Sequence, residues 1–292
     1  MKVVITIPAF NEERTIGTVI QEIRHVMSAG SYNYTLLVLD DGSTDRTSEV
    51  ARKLGAIVFS HQRNKGLAQT FREEMQQSLK LGADIIVHTD ADGQYFAEDI
   101  PRLLKKVEEG YDLVLGSRFR KKNSHIPMLK RFGNWAFALV LSQLTQVRLT
   151  DTTTGFRAFK REIAKEIEYI NTFTYTQEQI IKAAKQQFHI TEIGIRTRKT
   201  RESRLFKSPW QYAIKAWVNI LRIYRDYEPL SFFLRVGALF LFGGIAIGFW
   251  LVYRFIALGY IDRVPSTVLS MLLILVGIQI ILFGFLADML RR

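Results

Sequence analysis

The sequence contains no cysteine among its 292 residues, and it lacks two common phosphate-binding motifs. Without cysteine, disulfide bonds and thiolate metal sites are excluded, so any metal must bind to oxygen or imidazole ligands. No Gly-x-Gly-x-x-Gly follows the first predicted strand, and no Gly-x-x-x-x-Gly-Lys-Ser/Thr occurs anywhere in the chain. A Rossmann dehydrogenase and a P-loop kinase are therefore disfavoured.

Acidic residues are outnumbered by basic ones, 28 to 40, which gives a formal net charge of +12. Such an excess is typical of proteins that bind nucleic acids, anionic membranes or phosphorylated substrates. Much of it lies in residues 196–204 and 207–225, directly before the most apolar part of the chain. This position favours a membrane and phosphate groups as partners, and we expect no nucleic acid.

Two long stretches near the C-terminus, residues 236–253 and 264–287, contain no charged residue. Each is long enough for a transmembrane helix, and two buried core helices are the alternative. Basic residues precede the pair and also follow it, so the positive-inside rule predicts a membrane hairpin with both chain ends in the cytoplasm. We expect no secretory signal at the N-terminus. Gly244 and Gly248 form a small-xxx-small pair, and a homo-oligomer through these helices is a further expectation.

Residues 207–227 precede these stretches and have an amphipathic pattern. Apolar and aromatic residues recur at helical spacing, with basic residues between them. Trp and Tyr combined with basic residues are typical of a helix that lies in the membrane interface. The alternative is a core helix of the globular domain whose charges are solvated. The recurring residues are Trp210, Ile214, Trp217, Leu221 and Tyr224.

The first 116 residues alternate short apolar runs with amphipathic stretches. This alternation predicts an α/β fold with a largely parallel sheet covered by helices on both faces. Ligands of such sheets bind beyond the carboxyl ends of the strands. Strands are predicted at residues 3–7, 36–39, 56–59, 85–88, 113–115 and 190–195. Helices are predicted at residues 15–27, 45–54, 67–81, 98–109, 131–145, 160–169 and 176–187.

Polar clusters follow the first two predicted strands. Residues 8–13 (Pro-Ala-Phe-Asn-Glu-Glu) begin with a proline that would end the strand. They also offer an aromatic ring that could stack on a base and a carboxylate that could accept hydrogen bonds from a ribose. Residues 40–45 (Asp-Asp-Gly-Ser-Thr-Asp) offer paired carboxylates for ribose hydroxyls or a base N–H. Each cluster also fits a plain turn that caps the next helix, so both interpretations stay open.

A third cluster, residues 90–94 (Asp-Ala-Asp-Gly-Gln), follows the fourth predicted strand. Asp90 and Asp92 are separated by one small residue, and a bend there brings both carboxylates towards one cation. Hard oxygen ligands suit Mg²⁺ or Mn²⁺, which typically bind one or two carboxylates plus substrate phosphates. An EF-hand is rejected because the further acidic ligands are missing and the preceding element is predicted as a strand.

The order of these clusters resembles the family-2 glycosyltransferases with a GT-A fold. The likeness continues with residues 116–118 (Gly-Ser-Arg), 151–157 (Asp-Thr-Thr-Thr-Gly-Phe-Arg) and 202–204 (Glu-Ser-Arg), and covers roughly residues 1–210. The combination is similar to the branch of dolichyl-phosphate mannose synthase and polyprenyl-phosphate glucosyltransferases. It implies three segments: a cytoplasmic catalytic domain over residues 1–206, an interfacial helix over 207–230 and two transmembrane helices over 231–292.

The resemblance also implies roles for the matching residues. The nucleotide-sugar is expected at Pro8, Phe10, Glu12, Asp41, Asp90, Ala91 and Asp92. The metal is expected at Asp90, Asp92 and Gln94. The acceptor phosphate is expected at Arg118, Lys130, Arg131, Arg198 and Arg204. The catalytic residues would be Asp92, Asp151 and Arg118.

Two of these assignments follow less directly from the resemblance. The family has a basic residue followed four positions later by Ser, and the candidates here are Lys130 with Asn134 or Arg131 with Trp135. Neither pair reproduces the Ser. Asp151 is the family's usual candidate for a base, but we expect it to shape the site instead, and a carboxylate that orders the following turn is an equally compatible interpretation.

The implied reaction is inverting transfer of a hexose from a GDP- or UDP-linked sugar to a polyprenyl or dolichyl phosphate, with Mg²⁺ or Mn²⁺ as cofactor. A membrane-tethered transferase with a saccharide acceptor is the alternative. The Gln-x-x-Arg-Trp signature of processive polysaccharide synthases is missing. A nucleotidyltransferase would have a Gly-rich basic loop after the first strand, and a non-catalytic scaffold would not need both Asp90 and Asp92.

Overall fold

The structure is a computed structural model, and it describes residues 1–30, 32–120, 128–167, 175–199, 218, 221–222, 224–260 and 264–290. The chain divides into two compact units, Met1–Pro209 and Trp210–Arg292. Most of the predicted interfacial helix over residues 207–227 lies outside the described residues, as do Arg204 and the side chain of Lys130. The expected segment boundaries at residues 206 and 230 stay predictions.

The first unit is built on one sheet of seven strands in the order β3-β2-β1-β4-β6-β5-β7. All neighbouring strands are parallel except β6, which runs antiparallel to both β4 and β5. The strands are β1 (Lys2–Ala9), β2 (Asn33–Asp40), β3 (Ile57–Ser60), β4 (Ile85–His88), β5 (Leu113–Ser117), β6 (Arg157–Lys160) and β7 (Ile190–Gly194).

Helices connect these strands in the alternating pattern that the sequence predicts. The helices of the first unit are α1 (Ile16–Ser28), α2 (Thr47–Lys53), α3 (Leu67–Lys80), α4 (Ile100–Glu108), α5 (Met128–Thr145), α6 (Arg161–Glu166) and α7 (Tyr175–Lys185). A 3₁₀ turn, Ala97–Asp99, precedes α4. The predicted α/β class with a mostly parallel sheet is therefore confirmed.

Two local predictions differ from the structure. Sequence reasoning began a helix at Lys160, whereas Arg157–Lys160 form β6 and the helix starts at Arg161. This run of four residues, with a basic residue at each end, is too short to show a clear hydrophobic period. It is a strand because it pairs with β4 on one side and with β5 on the other. Pro8 does not end β1, because the strand continues to Ala9 and pairs with β2 up to Asp40.

Strand β4 lies in the middle of the sheet and carries the third polar cluster at its end. Its residues Ile85, Ile86, Val87 and His88 are all buried, as expected for a strand covered on both faces. The core packs β1 and β4 against the apolar side of α1. A rigid strand therefore leads directly into Asp90.

The second unit contains two long apolar helices, α8 (Pro229–Leu258) and α9 (Val264–Met289). They have 30 and 26 residues and mean hydropathies of 2.1 and 2.7 over their most apolar windows. At ~1.5 Å per residue each exceeds the ~30 Å hydrocarbon core of a bilayer. Both predicted transmembrane stretches lie within these helices, so the two helices of the predicted hairpin are confirmed.

Small residues let α8 and α9 approach closely. A Cβ added to Gly237 would lie 2.8 Å from the Gly277 carbonyl oxygen, and one added to Gly277 would lie 2.7 Å from the Leu241 backbone nitrogen. The Ser270 hydroxyl donates a hydrogen bond of 2.7 Å to the Gly244 carbonyl. Gly244 of the predicted small-xxx-small pair therefore packs within the chain, and association between copies stays a prediction.

Replacing Gly277 by alanine should destabilise the hairpin, because the new methyl group would meet backbone atoms that cannot move aside. Overpacking of this kind costs about 1–3 kcal/mol. The measurement is the midpoint of thermal unfolding of the full chain in detergent. Gly243→Ala is the matched control, since a Cβ there meets nothing within 4 Å. Equal midpoints for the two variants would contradict the close packing.

Candidate active site

The loops that follow β1 and β2 are joined by hydrogen bonds into one structure. The backbone N–H of Asn11, which has a φ of 54°, donates to the Ser43 hydroxyl at 2.9 Å. The Asn11 side-chain oxygen accepts from the Thr44 N–H at 2.8 Å, and the Glu12 N–H donates to the Thr47 hydroxyl at 2.8 Å. The first two predicted clusters therefore form a single surface, with Pro8 half-buried, Phe10 exposed and Glu12 buried.

The paired carboxylates after β2 have different surroundings. Asp40 accepts hydrogen bonds from the Ser43 N–H at 3.0 Å and from the Ser48 hydroxyl, so it organises the turn. Asp41 accepts from His61 Nδ1 at 2.7 Å and from the N–H groups of Lys65 and Gly66 at 2.8 and 2.9 Å. Asp40 therefore has the role of a turn cap, whereas Asp41 is buried and bound by the loop after β3, and its contact with a nucleotide stays a prediction.

The loop after β3, residues 61–66, packs against this turn. Gly42 has a φ of 75°, and a Cβ there would lie 2.6 Å from the Arg63 carbonyl carbon. Only glycine fits both the backbone conformation and this contact. Sequence analysis assigned no function to the loop and missed His61; the available signal was a polar segment at the end of a third strand.

Asp90 and Asp92 lie at the carboxyl end of β4, as predicted. Gly93, with a φ of 73°, turns the chain so that the Gln94 N–H donates to Asp92 Oδ1 at 2.9 Å. Burial raises the pKa of the Asp90 carboxyl to about 6; the neighbouring His88 and Arg118 side chains oppose this rise, and the negative charge of Asp92 adds to it. Two half-buried carboxylates that repel each other form a set of hard oxygen donors that fits a divalent cation.

These carboxylates would not complete a coordination shell by themselves. Within the described residues, no group of three or more His, Asp or Glu side chains could hold a metal ion. Mg²⁺ and Mn²⁺ commonly take their remaining ligands from water and substrate phosphates. The site therefore suits a cation that binds together with a diphosphate.

A fully buried pair lies behind the loop of residues 90–94. His88 Nε2 of β4 is 3.2 Å from Glu74 Oε2 of α3, and both side chains are completely buried. The Phe71 ring packs against the His88 ring with centroids 5.1 Å apart. The pair fixes α3 to the strand that carries Asp90. Sequence analysis did not identify it, because neither residue follows a strand end.

Arg198 supports the loop from its other side. Its backbone N–H donates to the Gln94 carbonyl at 2.9 Å, and its guanidinium pairs with Glu22 at 2.9 Å. The guanidinium carbon also lies 4.0 Å from the centroid of the Phe96 ring. These contacts show that Arg198 holds the loop in place. Its expected contact with a substrate phosphate stays a prediction.

Arg118 follows β5 and forms a two-pronged salt bridge with Asp151. Arg118 Nε lies 2.7 Å from Asp151 Oδ2, and Arg118 Nη2 lies 2.9 Å from Asp151 Oδ1. The Asp151 side chain is completely buried, and that of Arg118 is 17% exposed. Burial lowers the pKa of Arg118, but the Asp151 carboxylate more than offsets this, so the net pKa is raised. The Arg118 guanidinium is therefore held as an ion.

The turn formed by residues 150–155 is fixed by polar contacts on several sides. Glu192 of β7 accepts hydrogen bonds from the N–H groups of Thr150 and Asp151, at 2.9 and 3.0 Å, and burial raises its pKa. Asn134 of α5 donates to the Thr150 carbonyl at 2.8 Å and accepts from the Thr153 hydroxyl at 3.1 Å. Asn134 therefore anchors the turn. Sequence analysis missed Glu192, because a single acidic residue within a strand carries no motif.

An amphipathic groove of about 770 Å³ lies beside this turn, along the outer side of α5. Trp135 and Leu139 are 57% and 47% exposed there, and exposed Arg131 and Arg148 also line the groove. Its remaining lining residues are Phe119, Asn134, Ala138, Ser142, Leu149 and Thr150. A ligand with an apolar body and an anionic head matches such a surface.

The predicted residues are thus brought to one edge of the sheet. Asp41, Asp90 and Arg118 follow parallel strands β2, β4 and β5, whose carboxyl ends meet at that edge. Asp151 joins them through Arg118. The arrangement can hold a nucleotide, a divalent cation and an anionic acceptor side by side.

Comparisons with known proteins agree with this arrangement. The chain is 35% identical over 189 residues to the dolichyl-phosphate hexose transferase of Haloferax volcanii, with 64% of this chain and 78% of the relative covered. It is 30% identical to glycosyltransferase AglJ of the same organism, with 98% and 93% covered. Glucosyl-3-phosphoglycerate synthase of Mycobacterium tuberculosis, solved with Mn²⁺ and UDP, has the same fold at a TM-score of 0.60 and 20% identity, with 75% and 79% covered.

Two family models match the chain in sequence order. Glycosyl transferase family 2 matches residues 4–168, and the family 2 C-terminal transmembrane region matches residues 215–291. The first match covers more than half of the chain and includes the polar clusters after β1, β2 and β4. The second includes both long apolar helices, so the protein is associated with a membrane. The chain belongs to glycosyl transferase family 2, and it is a glycosyltransferase with a GT-A fold and a C-terminal membrane region.

Proposed function

We propose that this enzyme transfers a hexose from a GDP- or UDP-linked sugar to a polyprenyl or dolichyl phosphate, with inversion at the anomeric carbon. The observation that carries the proposal is the groove along α5, which has apolar walls and two arginines but no Asp, Glu or His among the lining residues that the structure describes. A lipid phosphate matches both features. The name of the dolichyl-phosphate hexose transferase from Haloferax volcanii supports the same acceptor class.

The donor nucleotide binds, in this proposal, on the joined loops after β1 and β2. Exposed Phe10 offers a ring for stacking, and Glu12 and Asp41 offer carboxylate oxygens for the ribose or the base. His61 and the N–H groups of Lys65 and Gly66 hold Asp41 in one orientation. These contacts prepare the carboxylate before the nucleotide arrives, which lowers the entropy lost on binding.

Asp90 and Asp92, with Gln94, would hold the divalent cation, and their paired oxygen donors fit Mg²⁺ or Mn²⁺. When bound, such a cation supplies charge neutralisation for the departing nucleoside diphosphate. The fold relative from Mycobacterium tuberculosis was solved with Mn²⁺, which supports divalent-metal use. The role of this chain's own residues is to keep two carboxylates close together at the end of β4.

The acceptor needs orientation more than deprotonation. The second pKa of a phosphate monoester is about 6, so a lipid phosphate is largely ionised at neutral pH. Arg118 would contact this phosphate through its positive charge, because Asp151 fixes the guanidinium in one orientation. Arg131 and Arg148, which line the groove, would attract the same charge. A saccharide acceptor would instead require a general base near its hydroxyl group.

Asp151 has a structural role in this mechanism. Its side chain is completely buried, and its oxygens accept hydrogen bonds from Arg118 and from Thr153. A general base must reach the proton that it removes, and a carboxylate held in this way does not. Asp151 therefore orients Arg118 and the following turn.

The membrane hairpin would keep the enzyme where its acceptor lies. Basic residues near the start of α8, including Arg222, Arg225 and Arg235, favour a cytoplasmic position for this end of the hairpin. Juxtamembrane basic residues gain about 1 kcal/mol each from an anionic lipid surface. The catalytic unit and both ends of the hairpin would then share the cytoplasmic side.

The first test is a transfer assay on the full chain in detergent, with polyprenyl phosphate, Mn²⁺ or Mg²⁺, and a panel of labelled UDP- and GDP-sugars. Metal-dependent label in the organic phase from one donor is the expected result. Asp92→Ala should abolish transfer while the protein remains folded and membrane-bound. Nucleotide release only after a saccharide is added would overturn the lipid acceptor, and activity of the variant above about a tenth of wild type (~1.4 kcal/mol in barrier) would overturn the metal site.

The groove can be tested through Leu139. Leu139→Gln places a polar group on its apolar wall and should raise the KM for polyprenyl phosphate about fivefold, since full burial of a leucine contributes ~1.5–3 kcal/mol and Leu139 is 47% exposed before the lipid binds. The KM for the sugar nucleotide should not change. Gln143→Ala, one turn along α5 and exposed, is the matched control. A rise in the donor KM instead, or no change in either, would argue against the groove as the acceptor site.

The structural role of Asp151 can be separated from a base role. Asp151→Asn leaves Arg118 without its buried counter-charge and should cost about 3–5 kcal/mol of unfolding free energy. The remaining activity should keep the wild-type pH profile, because no base has been removed. Thermal unfolding and the pH dependence of kcat are measured together, with Glu49→Gln, in an exposed ion pair, as control. Unchanged stability with loss of the acidic limb of the profile would identify Asp151 as the base.

A further inference from the structure

Gly155 lies in the turn beside Arg118, and the Asp90 carboxylate occupies the space that a side chain at position 155 would need. A Cβ added to Gly155 would lie 2.8 Å from Asp90 Oδ1 and 3.2 Å from Asp90 Oδ2. Gly155 is not among the residues with positive φ, so its backbone conformation would accept alanine. The space that glycine leaves open is therefore needed for the Asp90 carboxylate, and not for the backbone.

The turn around Gly155 is held in place from both sides. Phe156, the next residue, stacks on the Tyr95 ring with centroids 5.0 Å apart, and its carbonyl accepts from the Gly116 N–H at 2.9 Å. On the other side, Thr150 and Asp151 are bound by Glu192. Because these contacts fix the backbone, a side chain at position 155 would displace the Asp90 carboxylate more readily than the turn.

We propose that Gly155 is a positioning residue that sets the orientation of the Asp90 carboxylate. The turn that orders Arg118 through Asp151 thereby also determines how Asp90 is presented at the metal-binding loop. The inference rests on the proposed metal site, and it adds a residue that touches neither the nucleotide nor the acceptor in the proposed function. Changes that reorient a metal-binding carboxylate without removing it typically lower metal affinity by about 10–100-fold.

The test is Mn²⁺ binding to the purified full chain in detergent, measured from the electron paramagnetic resonance signal of free Mn²⁺. Saturating UDP or GDP is present, whichever gives tighter Mn²⁺ binding to the wild type. Gly155→Ala should weaken Mn²⁺ binding at least tenfold. Asp90→Ala provides the reference for loss of the ligand.

Thr152→Val is the matched control within the same turn. The Thr152 hydroxyl is completely buried and has no hydrogen-bond partner among the described residues, so valine preserves the shape of the turn. This variant should bind Mn²⁺ with wild-type affinity. Weakening by both turn variants to the same extent would show a general disturbance of the turn and would overturn the specific role of Gly155.

A folding defect can be separated from an effect on Asp90. Thermal unfolding is measured for Gly155→Ala, for Asp90→Ala and for the double variant. If the methyl group acts by pressing on the Asp90 carboxylate, any loss of stability caused by Gly155→Ala should be smaller when Asp90 is already alanine. An equal loss in both backgrounds would show that the methyl group presses on something else.

The outcomes distinguish this inference from the proposed function. Wild-type Mn²⁺ binding that does not depend on Asp90 would overturn the proposed metal site, and the inference with it. Binding that depends on Asp90 but is unchanged in Gly155→Ala would leave the metal site standing and overturn the role of Gly155 alone.

Discussion

The buried salt bridge between Arg118 and Asp151 is the constraint on which the proposed acceptor site depends. Removing two ions from water costs several kcal/mol each, and the attraction between them repays this only with good geometry and further hydrogen bonds. Both conditions are met: the two pairs of atoms lie 2.7 and 2.9 Å apart, and Thr153 donates to the same carboxylate. The guanidinium is thus oriented before any substrate binds, at the end of β5 and near Asp90.

The carboxylates at this edge of the sheet have different roles, and their surroundings explain the difference. Asp40 accepts a hydrogen bond within its turn, and Asp151 forms a salt bridge with Arg118, so both carboxylates shape the backbone. Asp41 is oriented by His61 and two N–H groups. For Asp90, burial and the neighbouring Asp92 outweigh the opposing effects of His88 and Arg118, so its pKa rises. That electrostatic penalty is the property expected of a site that becomes stable when a cation arrives.

Much of this arrangement is predictable from sequence, because it depends on local pattern. Short continuous apolar runs locate β1, β2 and β4, and the polar residues that follow them must lie at one edge of a parallel sheet. Uncharged stretches likewise locate the hairpin. Predictions fail where a residue's role is set by a distant partner. Glu192 binds turn residues that are 41 and 42 positions away in sequence. Asn134 binds turn residues that are 16 and 19 positions away. β6 is a strand only because β4 and β5 lie on both sides of it.

Glycine positions in both units show the same limit of prediction from sequence. Gly42 is needed for its positive φ and for the approach of the β3 loop, and the sequence marks it as a turn residue. Gly155 and Gly277 have ordinary backbone conformations, and nothing nearby in sequence explains them. Their space is occupied by Asp90 in one unit and by the backbone of Leu241 in the other. In each unit, a missing side chain allows an atom from elsewhere in the chain to approach, and for Gly155 that atom belongs to the carboxylate on which the proposed chemistry depends.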